Sequence, residues 1–141
     1  MIGRMRARLR ADRRGDTALE FALVGGMLVL LLLAPVELGL MVWTGSSLQD
    51  VAAETARCAA IGSAFCSGAN TPQSFAVSLA ARWIGPHAII AADVTPAQSS
   101  SCNQATGGSF ETVTITTSIW AGALIAPLAG ATQTAVGCFP R

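Results

Sequence analysis

The 141-residue sequence contains no lysine, no tyrosine and a single histidine, His87. These side chains supply many of the acids and bases that enzymes use near neutral pH. Four carboxylates remain beyond the main apolar run, Asp50, Glu54, Asp93 and Glu111, and they show no pairing in the sequence. A Walker A loop, a G-x-S-x-G elbow, an H-E-x-x-H helix, an EF-hand loop and a dinucleotide glycine pattern are all missing. There is no C-x-x-C pair, and His87 has no neighbour of ligand type, so a zinc site is not expected. The chain is therefore expected to be no enzyme and to use no cofactor, metal or small-molecule substrate.

Charge is scarce too. Charged residues make up 12% of the chain and hydrophobic ones 52%, and the mean hydropathy of +0.53 is high for a protein that meets only water. The excess lies between Leu19 and Val42. At ~1.5 Å per residue a helix over that run exceeds the ~30 Å hydrocarbon layer of a bilayer. A secretory signal peptide would have a shorter run followed by a small-x-small site, and a lipoprotein would have a cysteine just past the run, whereas the first cysteine here is Cys58. A retained single span fits better.

The few charges are unevenly placed. Residues 1–15 hold six arginines (Arg4, Arg6, Arg8, Arg10, Arg13, Arg14) and one acid, Asp12, while the rest of the chain holds three arginines and seven acids. Basic residues directly before an apolar helix stay on the cytoplasmic side. Neither Lys nor Arg occurs between Arg14 and Arg57 to oppose this. The expected topology is a single-pass membrane protein with a cytoplasmic N-terminus and the residues beyond Trp43 outside the cytoplasm. The arginine run is thereby explained by topology and needs no nucleic acid.

Four cysteines in an extracytoplasmic domain suggest two disulfides, for which three connectivities exist. Closeness in the sequence favours Cys58 with Cys66, and Cys102 with Cys138 at the two ends of the last hairpin-like region.

Within the span, Pro35 should bend the helix, Ala22 and Gly26 form a small-xxx-small pair, and Glu37 falls about 25 Å beyond Glu20, near the outer edge of the hydrocarbon and Trp43. Beyond Trp43, the stripe Leu48, Val51, Ala52, Thr55, Ala56, Ala59, Ala60 carries the same helix on to about Ile61, where Gly62 can end it. Asp50, Glu54 and Arg57 fall on its other surface as helix neighbours. Thr71-Pro72 starts a short amphipathic helix in which Phe75, Leu79 and Trp83 recur every four residues, and Gly85-Pro86 stops it. His87–Thr95 is expected to be a first strand, 96–109 a Ser/Gln/Gly-rich loop, Phe110–Ile119 the clearest strand, and Thr132–Phe139 a last one. The fold class is α+β: a long N-terminal helix, transmembrane and extending into the periplasm, with a disulfide-bonded head of one short helix and a roughly three-stranded antiparallel sheet.

At the mouth of the span stands Arg14-Gly15-Asp16-Thr17-Ala18-Leu19-Glu20-Phe21-Ala22-Leu23. Gly15, four residues, then Glu20 and Phe21 resembles the recognition site of class III signal peptides, in which a prepilin peptidase cuts after the glycine. With Pro35-Val36-Glu37-Leu38-Gly39, Leu48-Gln49-Asp50-Val51-Ala52 and Glu54-Thr55-Ala56-Arg57, the chain resembles the TadE/TadG-like family of tight adherence pilus proteins. The paired cysteines and the ending Cys138-Phe139-Pro140 are also similar to many members. The resemblance is specific over residues 13–61.

It implies a minor pilin or pseudopilin of a type IVb pilus, divided into a cleaved cytoplasmic leader (1–15), a transmembrane and periplasmic helix (16–61) and an α+β head (62–141). Its implied partners are the prepilin peptidase, other pilins, the pilus assembly machinery and the inner membrane. Gly15, Asp16, Glu20 and Phe21 would form the cleavage motif, and Glu20 would meet the N-terminal amine of a neighbouring subunit. Asp16 departs from the small or polar residues that suit the position after the cut, and its carboxylate competes for that amine. The apolar stretch Leu124-Ile125-Ala126-Pro127-Leu128 is a further candidate for partner contact. The alternative is an uncleaved, membrane-anchored accessory module that binds a partner through its periplasmic part.

Overall fold

The computed structural model describes residues 14–102, 105–118 and 132–141, with side chains from Thr17 onward. Residues 1–13 of the expected leader, Ile119 and the stretch 121–130 lie outside the described residues. Helix α1 spans Arg14–Ile61 with Pro35 inside it. Helix α2 is Pro72–Trp83, a 3-10 turn covers Ala91–Asp93, and the strands are β1 Val94–Cys102, β2 Ala105–Ser118 and β3 Thr132–Pro140. The α+β class expected from the sequence is borne out.

The chain divides into two compact units, Met1–Leu38 and Gly39–Arg141. In the first, α1 is the only described element. Apolar side chains at nearly every position favour a helix whose backbone bonds are satisfied internally, which is what hydrocarbon demands. Pro35 deprives the Leu31 carbonyl of its usual i+4 amide.

In the second unit the remainder of α1 becomes a core element. Ser47, Leu48, Val51, Ala52, Thr55 and Ala56 are buried, and the outward positions Gln49, Asp50, Ala53, Glu54 and Arg57 are exposed, as the stripe requires. The buried Thr55 hydroxyl donates to the Val51 carbonyl at 2.7 Å, so its burial leaves no orphan donor. At the end of α1 Gly62 adopts φ +68°, a left-handed cap open to glycine at little cost, and its amide donates to the Ala59 carbonyl.

Thr71 caps α2 as expected. Its hydroxyl accepts from the Ser74 amide at 3.2 Å, and its own amide donates to the Ser74 hydroxyl at 3.1 Å. The stripe of large residues is displaced, however. Ala76 and Ala80 are the buried positions, Leu79 is half-buried and Trp83 is 57% exposed. Alanines on the inner face let α2 lie close on β1 and the 3-10 turn, and this turns the Trp83 ring outward.

The sheet is antiparallel in the order β1-β2-β3. Val94, Val113, Ile115 and Ala135 join the core with Leu48, Val51 and Ile89. Thr112 and Thr114 are half-buried on the other face, and Thr116 and Ser118 are exposed there.

The first strand begins later than the sequence suggests. Ile90–Asp93 forms a turn in which the Asp93 carboxylate accepts from the Ile90 amide at 3.0 Å, and β1 then runs through the segment read as a loop. That segment is polar because β1 is an outer strand with one edge and one face toward water, where Pro96 is tolerated. β2 accordingly starts at Ala105 and pairs with β1 from Cys102↔Ala105 to Val94↔Ile115.

Two disulfides close the head. Cys58 is joined to Cys66 across the turn after α1, with Cα atoms 5.9 Å apart. Cys102 at the end of β1 is joined to Cys138 in β3, at 6.1 Å.

Strand β3 lies on α1 with no side chain between them at one point. A Cβ on Gly137 would run into the carbonyl group of Ala52 and the amide nitrogen of Ala53. Two glutamines fix the strand beside this approach. The Gln49 amide donates to the Val136 carbonyl at 2.6 Å, and the Gln133 amide donates to the Met41 carbonyl at 3.2 Å.

Candidate functional site

The described helix runs from Arg14, with Gly15 and Asp16 in its first described turn and Glu20 one turn further on. Glu20 is exposed, as is Phe21 at 79%. A carboxylate at the edge of hydrocarbon needs a polar partner.

From Leu19 to Leu38 the large apolar side chains other than the half-buried Leu33 are exposed. The 18-residue window of highest mean hydropathy reaches 2.3, and none of it is buried. Gly25 and Gly26 have open space where a Cβ would stand. Among the described residues their smallness thus serves no packing, and the Ala22/Gly26 pair has the small-xxx-small form that admits another helix. Glu37 is half-buried.

The other sequence candidates are dispersed. His87 is exposed, with a left-handed backbone at φ 66°. Glu111, whose side chain is 13% exposed, lies 3.8 Å from Arg141, which is 45% exposed. No three His, Cys, Asp or Glu side chains among the described residues are placed to hold a metal ion.

Sequence reasoning expected Trp83 on an inward stripe and so missed that it borders, with Leu79, Asp50 and Glu54, an open groove on the head. A signal was present in Ala76 and Ala80, which share the i, i+4 spacing with the larger residues and can bury more closely.

Among the described residues one exposed apolar helix is long enough to cross a bilayer and is followed by a small disulfide-bonded α+β head, an arrangement that suggests a membrane anchor. Residues 15–57 match the family model described as TadE-like protein, so over that stretch, about a third of its length, the chain is similar to TadE-like proteins. No curated protein and no solved structure matches the chain. The matched stretch starts at the glycine of the opening motif and ends one residue before Cys58, taking in the part of α1 that enters the head's core.

Proposed function

We propose that the chain is a minor pilin, or pseudopilin, of a tight adherence, type IVb pilus, with a structural rather than a catalytic role. The observation that carries this reading is the coincidence of the TadE-like match, starting at residue 15, with a helix whose apolar surface and open glycines meet no packing partner among the described residues. A prepilin peptidase hydrolyses the Gly15–Asp16 amide on the cytoplasmic face of the inner membrane. The six leader arginines leave with the released peptide, and Asp16 gains a free amine.

Glu20 then lies one turn from that amine along its own helix and pairs with the amine of a neighbouring subunit. Desolvating a carboxylate among lipid chains costs ~2.5–3.5 kcal/mol on insertion scales. A cation supplied by the next helix offsets this cost and sets the register between helices. The head stays on the periplasmic side and meets other components of the assembly machinery.

Mass measurement of the native protein tests the cut. A mature chain beginning at Asp16 is expected, and G15D should leave the leader in place. An intact leader on the native protein would replace this reading with that of an uncleaved accessory module.

The pairing is tested separately by E20Q. Processing and head folding should be unchanged, while recovery of the chain in sheared pili should fall about tenfold or more, the effect of losing one charge-assisted contact. Recovery equal to wild type would remove Glu20 from the assembly contact.

A further inference from the structure

A groove of about 450 Å³ opens on the head between α1 and α2, lined by Asp50, Val51, Ala53, Glu54, Leu79 and Trp83. Val51, fully buried, forms its floor, and Ala53 is too short to fill it. Asp50 and Glu54 are exposed one helical turn apart, which makes them like-charged neighbours that repel each other. Among the described residues no cation lies within ion-pair distance of either, since the pair that forms joins Arg141 to Glu111. Across from them stand the half-buried Leu79 and the exposed indole of Trp83.

Carboxylates on one wall with an indole and an aliphatic side chain on the other suit a guanidinium group. Its planar fork pairs with carboxylate oxygens, its face stacks on indole, and its methylene stem covers leucine. The source of that guanidinium is indicated by the surrounding charges. Besides Arg141, the head's arginines are Arg57, three residues past Glu54, and Arg82, directly before Trp83, and both are exposed. The surface around the groove thus carries two anions and two cations, a neutral and self-complementary arrangement.

We propose that this groove receives the Arg57 side chain of a second copy of this chain. The orientation rests on the pilin reading, in which both copies are anchored in one membrane and their α1 helices run parallel. Arg57 is seven residues beyond Asp50 and three beyond Glu54, or about 5–10 Å further along the helix. A neighbour must therefore be displaced along the axis by that amount. The contact joins two different patches, so each copy keeps one groove and one Arg57 free for the next, and the interaction propagates instead of closing into a pair.

The test places a photo-activatable residue at Ala53 of the full-length chain in its own membrane. Illumination should give a product of twice the chain's mass that contains two copies. D50N combined with E54Q, or R57E alone, should each reduce its yield about tenfold, as expected for loss of a charge-assisted contact. The double exchange E54R with R57E should restore it, which neither misfolding nor a change of net charge would do. A product whose yield ignores these charges, a product containing only a different protein, or no product at all would overturn the proposal.

Measuring the N-terminus in the same membranes separates the two readings. A chain starting at Asp16 without the charge-dependent product rejects the groove contact alone. The charge-dependent product from a chain with an intact leader retains the contact and rejects the pilin reading.

Discussion

Replacing Gly137 by alanine should be among the most damaging single substitutions in the head. The added methyl group meets the Ala52 carbonyl and the Ala53 amide of α1, which are backbone atoms and cannot turn aside as a side chain would. Either β3 must lift from the helix, breaking the Gln49 bond to Val136, or α1 must shift within a core where Ala52 and Val51 are fully buried. Overpacking in cores costs about 1–3 kcal/mol and sometimes more, and the rigid obstacle here sets the expectation at about 3 kcal/mol. For a unit of roughly 100 residues that lowers the melting temperature by roughly 12–20 °C. Thermal melting of the detergent-solubilised chain, followed by circular dichroism, provides the measurement. V136T, at the neighbouring position that is 48% exposed, should change little. A G137A protein that melts like wild type would show that strand and helix are not in this contact.

Removing the Cys102–Cys138 bridge should have a comparable effect through a different state. The bridge closes a separation of 36 residues that includes β2 and the stretch before β3. In the chain-entropy account, constraining a loop of that size in the unfolded ensemble contributes about 4 kcal/mol. The Cys58–Cys66 bridge spans only 8 residues, and the same account gives about 2.5 kcal/mol. The C102S/C138S protein should therefore unfold at a clearly lower denaturant concentration than the C58S/C66S protein. The reverse order would mean that the longer loop is already constrained before folding. A small head needs this help, because a domain of this size buries a limited fraction of its surface.

Helix α1 was legible from its sequence because one physical requirement governs each part of it. Lipid demands an apolar circumference up to Trp43, and the head demands an apolar stripe after it, which Leu48, Val51, Ala52, Thr55 and Ala56 supply. Thr71-Pro72 announced α2 through capping chemistry that is local by nature. Strand β1 was not legible. Val94 is its only fully buried residue, and Thr95–Ser101 has the composition of a loop because an outer strand needs few apolar positions. Ala76 and Ala80 were overlooked for a similar reason, since closeness of approach and not side-chain size decides which face of α2 is buried. The groove depends on where α2 comes to rest beside Asp50 and Glu54, a long-range outcome that neither helix encodes alone.

Both outer strands of the sheet carry features that discourage further strand pairing. Pro96 lacks an amide to offer a neighbour, the register of β1 slips between Ser99 and Ser101, and on β3 the Val136 carbonyl is already engaged by Gln49. Under the pilin reading proposed above, heads stand side by side and are exposed to indiscriminate sheet-to-sheet association. These blunted edges favour recognition through side chains over backbone adhesion, so the head can be crowded without forming amyloid-like aggregates.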